Sequence, residues 1–203
     1  MSLIMAGGWI MVPLLVISVL VLAIIVDRML VYCWNPMPGD KVLASVRKSL
    51  ESSDAKGAGK LLTPYAWLGG YKEALCSAVS YARYESELEG SLLEVRTYLE
   101  RRLAFLLTLS KVAPLLGLLG TVIGMIQTFA VVAHSASGIN MEVLADGIWQ
   151  ALITTATGLI IAIPAIILYR VFLSAEEKRL NVLSRLATTA CLIKKEGKGA
   201  DHD

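Results

Sequence analysis

Charge is absent from three long stretches of this chain, Ser2 to Val26, Val112 to Ala133 and Gly147 to Tyr169. An α-helix rises about 1.5 Å per residue, so roughly 20 apolar residues cross a bilayer core of about 30 Å. Each stretch is long enough to do so. A backbone in lipid must satisfy its own hydrogen bonds, which points to helices as the spanning form. The expected fold is an all-α membrane protein with three transmembrane helices.

Orientation follows from Lys and Arg, which are retained near span ends on the cytoplasmic side. Twelve of the nineteen lie between Asp27 and Lys111 and seven from Arg170 onward, while the N-terminus and the stretch His134 to Asp146 have none. The N-terminus is therefore expected outside and the C-terminus in the cytoplasm of a multi-pass membrane protein. The expected organisation is a first transmembrane helix in 1–34, a cytoplasmic helical domain in 35–110, the second span in 111–133, a short periplasmic loop in 134–146, the third span in 147–169 and a cytoplasmic helical tail in 170–203.

The first stretch reads as a retained anchor rather than a cleaved signal peptide. It has no basic n-region, its apolar run is longer than the roughly 7 to 15 residues of such peptides, and Asp27-Arg28 follows with no small-x-small cleavage pattern. A net charge of +2, with acids interleaved among the cytoplasmic basic residues, gives no nucleic-acid signal. Cys33, Cys76 and Cys191 are far apart and read as reduced thiols, and the lone His134 and His202 make no metal site. No metal or cofactor is expected, nor an enzyme, since no nucleophile, base and ligand cluster together.

Between the spans, Asn35-Pro-Met-Pro-Gly39 breaks the first helix, and Asp40 is the expected N-cap of a short helix to about Ser53 with Val42, Val46 and Leu50 on one face. Gly57-Ala-Gly59 and Thr63-Pro64 read as a second breaker region. Gly57-Ala-Gly-Lys60 is not a phosphate loop, because Asp54 stands at the first glycine position and Leu61 follows the lysine. From about Gly70 to Ser110 a helix is expected to run into the second span, with Leu88, Leu92, Val95, Leu99, Leu103 and Leu106 as its apolar stripe. Phe172, Ala175, Leu183, Leu186, Ala190 and Ile193 extend the third span inward in the same way. Both extended stripes need partners.

Within lipid, helices approach through small residues. The second span offers Ala113, Gly117, Gly120, Thr121 and Gly124, and the third Gly147, Ala151, Thr154, Thr155, Gly158, Ala162 and Ala165. Thr121, Gln127 and Thr128 in the second span and Gln150, Thr154, Thr155 and Thr157 in the third are polar. A threonine hydroxyl can bond the carbonyl one turn back, which is the simplest reading of any single one. Thr121 and Thr155, however, share faces with small residues, as a wet or partner-filled cavity would require. No ionisable residue lies inside a span, so proton passage would need a carboxylate from a partner. Pro114 and Pro164 fall near the cytoplasmic ends of their spans, which does not fit the mid-membrane break of a carrier.

Ala113-Pro-Leu-Leu-Gly-Leu-Leu-Gly-Thr-Val-Ile-Gly-Met125 and Gly147-Ile-Trp-Gln-Ala-Leu-Ile-Thr-Thr-Ala-Thr-Gly-Leu-Ile-Ile-Ala-Ile-Pro-Ala165 resemble the signature spans of the ExbB/TolQ/MotA proton-channel family. The opening Gly7-Gly-Trp-Ile-Met-Val-Pro-Leu-Leu15 and Ile24-Ile-Val-Asp-Arg28 are similar to the first span of short ExbB-type members. The resemblance implies a homo-oligomeric, pentameric ring whose second and third spans, extended into the cytoplasm, enclose the single membrane helices of two ExbD-like subunits. Each of those carries an aspartate, and a TonB-like transducer takes up the work that the proton motive force supplies. Thr121 and Thr155 fall on the family's two pore threonines, Thr154 and Gln150 lie beside them, and Gly117, Gly120, Gly124, Ala151 and Gly158 pack the ring and its partner helix. Pro114 and Pro164 shape the helices. Some ExbB proteins have a glutamate where this chain has Gln150, which cannot carry a proton, and Asp146 is at most a charge at the mouth. The alternatives are a TolQ-type subunit of the Tol–Pal system, or a small carrier or scaffold without a motor partner. A flagellar stator, with four spans, fits less well.

Overall fold

The computed structural model describes residues 8–52, 54–77, 79–134 and 141–199, the side chains of 196–199 excepted. The start of the first uncharged stretch, Ser53, residues 135–140 of the expected loop, and His202 lie outside the described residues. The helices are α1 (Met11–Trp34), α2 (Asp40–Glu51), α3 (Ala55–Leu61), α4 (Gly69–Leu75), α5 (Tyr81–Ala133) and α6 (Met141–Gly199), with a 3-10 turn at Ala66–Leu68 before α4. Helices α1, α5 and α6 are each long and apolar enough to cross a membrane. Pro114 and Pro164 sit inside α5 and α6, where each removes one rung of the hydrogen-bond ladder without ending the helix.

Two compact units divide the chain, one formed by residues 1–28 with 102–171 and the other by 29–101 with 172–203. In the first, Ile10, Met11 and Leu14 at the start of α1 bury against Ile153 of α6, with Leu116, Ile123 and Ile161 packed around them. Its surface is the inverse of a soluble protein's. Val16, Leu22, Leu118, Ile126, Ile160 and Ile167 all stand exposed, a surface suited to lipid or to other membrane helices. Asp27, which directly follows the uncharged part of α1, forms an ion pair with Arg102 that joins α1 to α5.

The second unit has an ordinary aliphatic core built on Val46, Leu50, Leu75, Leu88, Leu99 and Leu183. Tyr71, fully buried, donates its hydroxyl proton to the Leu183 carbonyl at 2.8 Å, and Tyr84 donates to the Leu75 carbonyl at 3.1 Å. Burial, with smaller contributions from Tyr84 and Cys191, raises the Tyr71 hydroxyl above the usual phenol range. Lys194 donates to the Ser77 carbonyl at 2.9 Å and lies 3.8 Å over the Tyr84 ring. Tyr32 of α1 stacks on Phe172 of α6 at 5.5 Å, and the Arg179 guanidinium lies 4.2 Å from the centre of the Tyr32 ring.

Four local expectations are corrected. Asp40 is not the N-cap of α2; Gly39 is, and Asp40 opens the first turn, where its charge complements the helix dipole. Gly57-Ala-Gly59 is not a breaker but the middle of α3. Asp54 caps that helix by accepting from the Gly57 N–H at 2.8 Å, and Gly59 is the residue that fits, because a Cβ there would collide with the Cys76 sulfur. The long helix starts at Tyr81 rather than near Gly70, since the chain first makes α4 and turns at Cys76 to bury Tyr71 and Leu75. Finally, Met141 to Asp146 is the first turn and a half of α6, not loop.

Candidate functional site

The small residues noted in the second and third spans meet one another within a single subunit. Step by step, α5 ascends while α6 descends: Ala113 faces Gly158, Gly117 faces Thr154 and Thr155, Gly124 faces Ala151, and Thr128 faces Gly147. A Cβ on Gly117 would lie 2.9 Å from the Thr154 carbonyl oxygen and 3.0 Å from the Thr155 Cα, so the approach is between backbones. A Cβ on Gly158 would lie 2.6 Å from the Ala113 carbonyl oxygen. On Gly120 it would collide with the Thr154 hydroxyl, and on Gly147 with that of Thr128. Such close contact is how helices associate where the solvent is as apolar as the side chains.

The seam is laced by hydroxyls. Thr154, 2% exposed, donates to the Ala151 carbonyl of its own helix at 2.7 Å, and its oxygen also lies 3.3 Å from the Gly117 carbonyl oxygen. Thr155 donates across the seam to the same Gly117 carbonyl at 3.1 Å. A hydroxyl has one proton and two lone pairs, so Thr155, with its proton on Gly117, faces its surroundings as an acceptor. Thr121 gives its proton to the Leu118 carbonyl at 2.7 Å, the local bond that is the simplest reading of a helical threonine. Thr128 does the same to Gly124 at 2.8 Å and Thr157 to Ile153 at 2.8 Å. Thr121 also lines an open apolar groove on α5 with Val122, Met125, Ile126, Phe129 and Ala130.

Of the four polar residues that the resemblance assigns to the pore, the structure brings Thr154 and Thr155 together over Gly117 and leaves Thr121 on the α5 groove. Gln150 lies elsewhere, its side-chain amide against Gly8 at the entry to α1. Gly8 has φ +67°, left-handed backbone, and the Gln150 amide fills the place a Cβ would take. All five packing residues fall on the seam or beside it, and Thr128 with Gly147 extends it by another turn. The signal that would have paired them is register. In an antiparallel pair, every move of three or four residues along one helix is matched by an equal move back along the other.

These features define a class: a multi-pass membrane protein in which two long helices close on a glycine and threonine seam that carries no ionisable group. A profile of the MotA/TolQ/ExbB proton channel family matches residues 69–190, and the chain belongs to that family. Among similar proteins, an ExbB-like biopolymer transport protein of Synechocystis sp. is 32% identical over 178 residues, covering 84% of this chain and 83% of that protein. The biopolymer transport protein exbB1 of Vibrio cholerae is 29% identical over 163 residues, 76% of this chain and 70% of that protein. The biopolymer transport protein ExbB of Salmonella typhimurium is 39% identical over 85 residues, which is 42% of this chain and 34% of that protein.

Proposed function

We propose that this chain is the ring-forming proton-channel subunit of an ExbB–ExbD-type inner-membrane motor that uses the proton motive force to energise TonB-dependent transport across the outer membrane. Five copies enclose the single membrane helices of two ExbD-like subunits, and the extended parts of α5 and α6 lie in the cytoplasm. The ExbB-type names of the relatives support this branch over a TolQ-type one.

The observation that carries the reading is the commitment of the Thr155 proton to Gly117 in a seam without ionisable side chains. The titrating group deep in the membrane is then the partner's aspartate. Thr155 can accept a hydrogen bond from that aspartate when it is protonated, but can donate to the carboxylate only by releasing Gly117. Thr121, whose proton is on Leu118, acts in the same sense. The lining therefore favours the neutral acid, and loss of the proton forces a change of partners that drives the inner helices onward. A unit charge crossing the membrane gains about 2.3 kcal/mol per 100 mV, which exceeds the roughly 1 kcal/mol of a hydrogen bond that must be exchanged.

The test pairs Thr155→Val with Thr155→Ser in cells that depend on energised uptake, alongside purification of each ring with its companion. Val keeps the shape and removes the hydroxyl, so uptake is abolished while the ring still assembles; Ser preserves uptake. Full uptake by the Val variant removes the hydroxyl from the mechanism. A fully active wild-type chain that copurifies with no one-span, aspartate-bearing companion overturns the whole reading.

A further inference from the structure

The second unit carries two shallow grooves on opposite flanks of α6, and their charges are opposite. One is lined by Leu43, Ala44 and Arg47 of α2 with Val182, Arg185 and Leu186 of α6. The other is lined by Tyr81, Glu85, Glu89 and Leu92 of α5 with Thr188 and Leu192 of α6. At about 100° per residue, the α6 residues of the two grooves centre roughly 140° apart across the outer face of the helix, while the buried Leu183 and Ala190 lie on its opposite face, roughly 100° to 120° from each groove. Arg47, Arg185, Glu85 and Glu89 are all exposed, and Leu192 at the acidic rim is 55% exposed. Arg47 holds an exposed i,i+4 pair with Glu51 at 3.0 Å; among the described residues no ion pair is recorded for Arg185, Glu85 or Glu89. Burial, and then the neighbouring Glu85 and Glu89, raise the Cys191 thiol, which lines the same groove as they do.

A two-fold interface joins a patch to its own copy, whereas a ring joins one patch to a different one on the next subunit. A basic groove on one flank and an acidic groove on the other, each with an apolar floor, suit the second arrangement and oppose the first. We infer that the Arg47/Arg185 groove of one copy seats against the Glu85/Glu89 groove of the next, so that the charged unit sets the order in which copies join. This inference rests on the ring reading above and adds to it the surfaces that meet outside the membrane.

The test is a charge swap in the full chain with its companion, read as the fraction of ring by native mass measurement in detergent at low and high salt. Arg47→Glu with Arg185→Glu lowers the ring fraction at least about threefold, and so does Glu85→Arg with Glu89→Arg. Combining all four changes restores it, because the grooves again differ in sign. The wild-type ring weakens as salt rises, since exposed charges are screened within about 10 Å at 0.1 M. Circular dichroism of each variant checks that helix content is retained, and the milder Arg47→Gln with Arg185→Gln gives a smaller loss in the same direction. A ring that survives both double reversals unchanged overturns this pairing and leaves the ring reading standing. A wild-type chain that is monomeric overturns both.

Discussion

The seam between α5 and α6 and the core of the charged unit both hold helices together, yet they use opposite residues. Around Gly117, Gly120 and Gly158 the contact is backbone on backbone, and what stabilises it is van der Waals approach with hydroxyl bridges to a carbonyl. Around Leu88, Leu99 and Leu183 large side chains are removed from water, at roughly 25 cal/mol for each Å² of apolar surface. The solvent decides. Where water surrounds the protein, large residues gain most from burial; where lipid does, burial of leucine gains little and the smallest residues make the closest contact.

Four substitutions probe that contrast, in descending order of effect. Leu183→Ala, at a fully buried position of the charged unit, costs about 2–5 kcal/mol by lost transfer energy and cavity formation. It should lower the denaturation midpoint of the purified chain, and an unchanged midpoint would mean that this core is not held by exclusion of water. Gly120→Leu makes the reverse error, adding volume where Thr154 leaves none, and costs at least about 1–3 kcal/mol by overpacking. The yield of assembled complex in detergent should fall, and a normal yield would refute the seam. Tyr71→Phe keeps the ring and removes the hydroxyl that donates to the Leu183 carbonyl, a loss of about 1–2 kcal/mol at neutral pH. Because burial raises the folded-state Tyr71 hydroxyl, its unfolded form ionises first. The wild type therefore loses stability as pH rises past about 10, and the Phe variant lacks that part of the loss. Parallel alkaline titrations that superimpose would count against the buried phenol. Last, Arg96→Ala removes an exposed i,i+4 pair with Glu100 and should change thermal stability by no more than about 0.5 kcal/mol, within error of the unaltered chain.

The spans were legible because lipid imposes a coarse rule, the exclusion of charge over some twenty residues, that a sequence cannot disguise. The apolar stripes from Leu88 to Leu106 and from Phe172 to Ala190 were legible for the same reason of period. What escaped depended on single tertiary contacts. Gly57 and Gly59 read as breakers by propensity alone, which contains neither the Asp54 cap on the Gly57 N–H nor the Cys76 sulfur packed against Gly59. The turn between Leu75 and Tyr81 carries no proline to announce it, and the contact made by the helix before it, Tyr71 on the Leu183 carbonyl of α6, is distant in sequence. Within the site, residue type pointed to Thr155 and Thr154, but type alone could not tell that Gln150 packs on Gly8 or that Thr121 bonds its own helix.

The backbone contact at Gly117, Gly120 and Gly158 inverts a standard experiment. Elsewhere an alanine scan trims atoms away and reports what was lost. Along this stretch of the molecule alanine is the bulkier choice, so the scan becomes a test of how much one added methyl group can wedge apart.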